Sequence, residues 1–278
     1  MLARRRSLPG FGLTLGLTLA YLAAIVLLPL AALAWKTAGL GWTEFVAAAT
    51  APRALAAYRV SFGCAAVAGA VNLVMGTLLA WVLARYRFPG RRLVDALIDL
   101  PFALPTAVAG IVLTSLYADT GPLGRLFAAA GIRIAYTPLG ITLALTFVSL
   151  PFLVRSVQPV LEALEPELEE AAATLGAGRL TTMLRVILPM LAPAILAGFA
   201  LAFARAVGEY GSVVFISGNL PLKTEIAPFL IVARLEEYDY AGATAIAVVL
   251  LLASFAALLA INLLQLWLVR RRSAEGTA

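Results

Sequence analysis

Residues 58–84 read YRVSFGCAAVAGAVNLVMGTLLAWVLA, and residues 85–92 continue as RYRFPGRR. The first run carries a single charge, Arg59. As one helix rising 1.5 Å per residue it is long enough to cross a hydrocarbon core of ~30 Å. The second run sets Arg85, Arg87, Arg91 and Arg92 around Pro89 and Gly90. That is a turn loaded with the basic charge that marks one side of a membrane.

The same alternation of apolar run and basic turn recurs along the chain. Apolar segments are read at Phe11 to Trp35, Leu97 to Tyr117, Pro138 to Val154, Pro193 to Ser217 and Ala241 to Val269, six with Tyr58 to Ala84. The fourth is short and needs its flanks to span. The first follows Arg4, Arg5 and Arg6, but its apolar run exceeds the 7 to 15 residues of a signal-peptide core, so a retained helix is expected. Composition agrees: 62% of the 278 residues are hydrophobic and 13% charged, with a mean hydropathy of +0.96. A water-soluble domain carries about a quarter charged residues. The expected fold is all-α, a polytopic bundle of six transmembrane helices.

Histidine is absent and Cys64 is the only cysteine, which excludes His/Cys metal sites, imidazole acid-base chemistry and an intrachain disulfide. The net charge of +6 does not signal nucleic-acid binding, because the basic residues sit at the ends of apolar runs rather than along one polar face. Thirteen of them, Arg4, Arg5, Arg6, Arg85, Arg87, Arg91, Arg92, Arg155, Arg179, Arg185, Arg270, Arg271 and Arg272, fall on one set of alternate loops. Seven fall on the other: Lys36, Arg53, Arg59, Arg125, Arg133, Lys223 and Arg234. The richer side is expected to be cytoplasmic, with both termini there.

The longest loop on that side, residues 155–192, reads as two short amphipathic helices. Pro166 suits the first position of one helix, Glu167, Glu169 and Glu170 complement its positive end, and Gly176 suits its C-terminal cap. Leu161, Leu164, Leu168, Ala172 and Leu175 recur at helical spacing. Leu180, Met183, Leu184 and Ile187 repeat that spacing up to Pro189, where a stop is expected. Acidic residues do not suit a negatively charged lipid surface, so the loop points to a protein partner.

In this loop Glu170, Ala171 and Ala172, then Gly176, then Val186, Leu188 and Pro189 resemble the EAA loop of ABC importer permeases, with valine for the usual isoleucine. The resemblance implies a type I ABC importer permease fold in which these residues dock against a separate ATPase subunit. A narrower resemblance runs through LPGFGLTLG (8–16), DLPFALPTAVAGI (99–111), ARAVGEYGSVVFISGN (204–219) and YDYAGATAIA (238–247). These look like the T subunit of sulfate/thiosulfate importers, the CysT family; molybdate and tungstate permeases are the alternative. Implied partners are two ATP-binding subunits that hold ATP and Mg, a second permease of the W type, a periplasmic sulfate-binding protein, sulfate or thiosulfate, and membrane lipid. The implied organisation is a cytoplasmic N-terminus (1–10), a first helix (11–35), an importer domain (57–269) with its coupling loop (155–192), and a cytoplasmic tail (270–278).

The chain contains no G-x-x-x-x-G-K-[ST] phosphate loop, so it is expected to be non-catalytic and to bind no cofactor itself. Arg205 and Glu209 lie four residues apart in the expected fifth helix. Charges at such depth face a cavity or a bundle interior. Two readings stay open: an ion pair that locks helices together, or an arginine that attracts a passing dianion. Ala200, Ala204, Gly208 and Ser212 form a small-residue stripe beside the pair, suited to close helix packing in lipid. Pro101, Pro105 and Thr106 interrupt the third segment, as a kink or as pathway lining. Asp95 and Asp99 are expected to pair with Arg91 or Arg92. An ion-coupled secondary transporter is the rival class, but it needs no acidic docking loop.

Overall fold

The computed structural model describes residues 11–165 and 167–275. Arg4 to Arg6, Pro166 and the side chains of Arg270 to Arg272 lie outside the described set. The described residues form helices and no strand: α1 (Phe11–Ala38), α2 (Trp42–Ala49), α3 (Pro52–Arg85), α4 (Arg91–Ile98), α5 (Leu100–Ala103), α6 (Thr106–Tyr117), α7 (Pro122–Ala129), α8 (Pro138–Ala163), α9 (Glu167–Thr174), α10 (Arg179–Val207), α11 (Val213–Ile216), α12 (Ala227–Glu236) and α13 (Tyr240–Glu275).

Five of them, α1, α3, α8, α10 and α13, are long and apolar enough to cross a membrane. The segment from Leu97 to Tyr117 is not one helix. The residue before a proline avoids helical backbone, and Leu104 and Pro105 are indeed extended, with ψ 134° and 131°. Pro101 breaks nothing, because it sits in the first turn of α5 where no helical N–H is needed. The segment is therefore split into α4, α5 and α6, and α6 alone, at about 18 Å, falls short of a bilayer.

Two boundaries in the long loop differ from expectation. α8 keeps Pro151 and Pro159 inside it and continues to Ala163, so Leu161 is a buried residue of a long helix rather than part of a loop stripe. Pro189 stops nothing: the second expected loop helix and the fifth span are one helix, α10. The turn before it, Met183–Ile187, is a π-helix in which the Leu188 N–H bonds to the Met183 carbonyl. That wider turn relieves the clash between a proline ring and the carbonyl four residues earlier. α1 uses the same device, a π turn at Ala23–Leu27 directly before Leu28 and Pro29.

Nothing of the α1 span is buried, although its mean hydropathy is 2.4. Leu13 is 77% exposed and Leu17 70% exposed. Such a surface is stable only in hydrocarbon, where helix association rests on close packing rather than on expelling water. The core is built that way around α3, α8 and α10. A β-carbon added at Gly198 would lie 3.1 Å from Leu153 Cα, and one added at Gly76 would press into the Leu153 side chain. Ala80, Leu83, Leu153, Val157, Leu161, Ile187 and Leu191 fill the half of the core nearer α9. Cys64, Ala65, Ala144, Leu145, Phe203, Val207 and Ile216 fill the other half, Cys64 serving as a packing residue.

Candidate functional site

α9 is acidic at its start and closed sharply at its end. Glu167, Glu169 and Glu170 occupy the first turn, where carboxylates offset the positive helix end. At the other end Gly176 has φ +82°. Its N–H bonds to the Ala173 carbonyl at 3.0 Å, and the Ala177 N–H reaches back to Ala172 at 3.0 Å. This pair of bonds is the Schellman stop that requires a left-handed residue, for which glycine carries no penalty.

One face of α9 turns to the bundle. Ala172 is buried, and Glu169 lies 2.9 Å from the guanidinium of Arg85, the last residue of α3. The opposite face is open: Glu170 and Ala171 are exposed, as are Leu168, Leu175, Leu180 and Leu184, the last three at 88%, 72% and 53%. Leu188 is at the edge of exposure and Val186 and Pro189 are half-buried on α10. Glu170, Ala171 and Gly176 thus share an open surface with a row of leucines, while Ala172 is the small contact on which α9 rests.

The second cluster forms where α10 ends. Arg205 lies in its last turn and pairs with Glu209 at 2.5 Å, but Glu209 is past the helix end, in a turn before α11. The Glu209 side chain is 2% exposed and Arg205 31%. Glu209 Oε1 also accepts hydrogen bonds from Ser212 N–H and Oγ, at 2.8 and 2.9 Å. The small-residue stripe therefore does not run on helically to Ser212. Gly110 and Gly211 make the close approach instead: a β-carbon on Gly211 would collide with Thr106 Oγ1, and one on Gly110 would sit 2.8 Å from Ser212 Cα. Thr106 is brought against the Glu209 turn, and Pro105 stands exposed beside it. Pro101 is buried in α5.

Asp95 and Asp99 do not pair with Arg91 or Arg92. Arg155 of α8 takes them both, at 2.7 and 2.6 Å. Arg91 instead faces Glu162 at 3.5 Å. In the sequence Arg155 reads only as a topology charge, and periodicity alone gives no sign of a partner 56 or 60 positions away. The pair of half-buried Arg53 with buried Glu225 is hidden from periodicity for the same reason. Asn72, fully buried between α3 and α8, donates to Thr146 O and Ser149 Oγ at 3.0 and 2.8 Å.

Residues 72–274 match the family described as binding-protein-dependent transport system inner membrane component. The sulfate transport system permease protein CysT of Salmonella typhimurium is 52% identical over 261 residues, 94% of each chain. The protein of that name from Synechocystis sp. is 57% identical over 250 residues, 90% of this chain and 87% of the relative. Among solved structures, a bacterial ABC transporter involved in import of the acidic polysaccharide alginate superposes with a TM-score of 0.75 at 16% identity, covering 92% of this chain and 95% of that one. At that identity the likeness is one of fold. A bacterial alginate ABC transporter in complex with an alginate pentasaccharide-bound periplasmic protein gives a TM-score of 0.73 at 16% identity, covering 90% of this chain and 91% of that one.

Proposed function

This chain belongs to the inner membrane components of binding-protein-dependent transport systems, in the CysT family of sulfate permeases, and from that membership we propose that it forms half of the sulfate pathway of an ATP-driven importer. It is a multi-pass membrane subunit without a catalytic role of its own. Its counterparts in this reading are two ATP-binding subunits that hold ATP and Mg, a second permease of the W type, and a periplasmic sulfate-binding protein. Thiosulfate is a further expected substrate. The loop of α9 and both termini face the cytoplasm, in keeping with thirteen basic residues against seven.

The observation that carries the coupling half of the proposal is the open face of α9. A short helix closed by a glycine stop, ringed by exposed leucines and anchored to α3 through Arg85 and Glu169, is built to be pushed as a rigid piece. Leu168, Leu175, Leu180 and Leu184 supply apolar contact for a protein groove, and Glu170 with the first-turn carboxylates supplies its charge register. A displacement of α9 reaches α3 through the Arg85 pair and α8 through the chain itself. At the far end of α10, Arg205 offers a partly exposed positive charge to a dianion while Glu209, held by Ser212, sets its position.

The test is uptake of labelled sulfate and labelled molybdate in cells that carry or lack this chain. Sulfate uptake that disappears with the chain, with molybdate uptake unchanged, supports the reading. The reverse pattern replaces it with a molybdate permease.

A further inference from the structure

Arg155 is bound at every donor it has. Its Nε and Nη2 grip Asp99 as a fork, at 2.9 Å to Oδ1 and 2.6 Å to Oδ2. Nη1 reaches Asp95 Oδ1 at 2.7 Å and Gln158 Oε1 at 2.8 Å, and Nη2 also reaches the Asp95 carbonyl at 3.0 Å. A guanidinium has five N–H groups, and all five are used. A surface arginine does not need such saturation, and isolated surface ion pairs fix little.

What Arg155 holds is the joint of the broken segment. Asp95 lies in α4, and Asp99 is the residue between α4 and α5. Beyond α5 the backbone is extended at Leu104 and Pro105, and α6 then packs Thr106 and Gly110 against the turn that contains Glu209. In the other direction the contacts descend α8: Gln158 Nε2 donates to Glu162 Oε1 at 3.1 Å, and Glu162 faces Arg91 of α4 at 3.5 Å. α8 ends one residue after Glu162, and α9 begins at Glu167.

We propose that Arg155 is the positioning residue that transmits movement of α9 to the broken α4, α5 and α6 segment and so to the Glu209 turn. The proposal rests on the reading of α9 as the docking helix. α8 is the lever: its end is continuous with the α9 loop, and Arg155, two helical turns above that end, is clamped to the joint. Lysine has three donors and no fork, so it keeps the charge and loses the grip.

The experiment uses the full complex, reconstituted with its ATP-binding subunits, partner permease and sulfate-binding protein, and reads ATP hydrolysed per sulfate imported. Arg155→Lys and Asp99→Asn are expected to leave the amount of assembled complex near wild type. Both should raise that ratio by roughly fivefold or more, the lower end of ordinary coupling between sites. Arg234→Lys, which alters a comparably exposed arginine in the last turn of α12 that pairs with Glu237 and Asp239, is the control and should not move it. Wild-type ratios in both variants would overturn the proposal, as would a loss of assembled complex with the ratio unchanged in what remains. A wild-type complex that imports no sulfate with ATP would fail the functional reading itself, which separates the two.

Discussion

Arg53, at the start of α3, closes two hydrogen bonds of 2.8 and 2.7 Å onto Glu225, 172 positions away in the chain. The Glu225 side chain is 1% exposed. Nearby, Ser61 Oγ accepts the N–H of Ala227 at 2.8 Å, so the loop before α12 is fastened to α3 at two points. Arg53→Ala strands a buried carboxylate and should destabilise the protein by about 3–5 kcal/mol. Adding Glu225→Gln removes the stranded charge and should recover part of that loss. Thermal unfolding in detergent reads the order, and a double variant no more stable than the single would contradict it.

Arg205 and Glu209 allow their two roles to be separated. Arg205→Ala leaves Glu209 buried with only the Ser212 donors, which lowers assembly of the complex. Arg205→Ala with Glu209→Gln keeps a group that still accepts from Ser212 and carries no charge, so assembly should return toward normal. If Arg205 only locks the fold, sulfate uptake returns with assembly. If it attracts the anion, assembly returns and uptake stays low, and that second pattern is expected from its 31% exposure.

Gly176 has a matched control in Gly131. Both have positive φ, +82° and +75°, and a β-carbon at either meets nothing within 4 Å. Valine at either position therefore costs about 1–2 kcal/mol in backbone conformation, and its β-carbon meets no neighbouring atom within 4 Å. Both variants should be abundant in the membrane. Gly176→Val should lose co-purification with the ATP-binding subunit or uncouple hydrolysis from uptake, whereas Gly131→Val should do neither.

Gly110→Ala tests the seam between α6 and the Glu209 turn. The added carbon meets backbone atoms of Ser212, which cannot rotate away as a flexible side chain can. Overpacking of this kind costs about 1–3 kcal/mol, and uptake should fall along with the unfolding temperature. Gly12→Ala, where a β-carbon meets nothing within 4 Å, should change neither.

Length, hydropathy and charge are local properties, and they made the membrane spans and the glycine stop of α9 readable from the sequence. The left-handed Gly176 follows from residues within one helical turn of it. Proline is less legible. Pro105 ends a helix, Pro189 is carried by a π turn before it, and Pro151 and Pro159 sit inside α8 with no such turn, so residue type does not announce which proline interrupts a helix. The pairings of Arg155 with Asp95 and Asp99, and of Arg53 with Glu225, depend on which helices pack together. In lipid that choice is made by small residues such as Gly76 and Gly198 rather than by a hydrophobic stripe. The four-residue spacing identifies Arg205 as the partner of Glu209, but the pair is made across a helix end rather than within a continuous helix.

Reconstitution of the complex into proteoliposomes with and without this chain, supplied with labelled sulfate, ATP and the sulfate-binding protein, decides whether the chain forms half of a sulfate pathway. Sulfate should accumulate inside only when the chain, ATP and the binding protein are all present, and a tenfold excess of molybdate should not compete. Accumulation driven by an ion gradient without ATP, or molybdate carried in place of sulfate, would contradict the account.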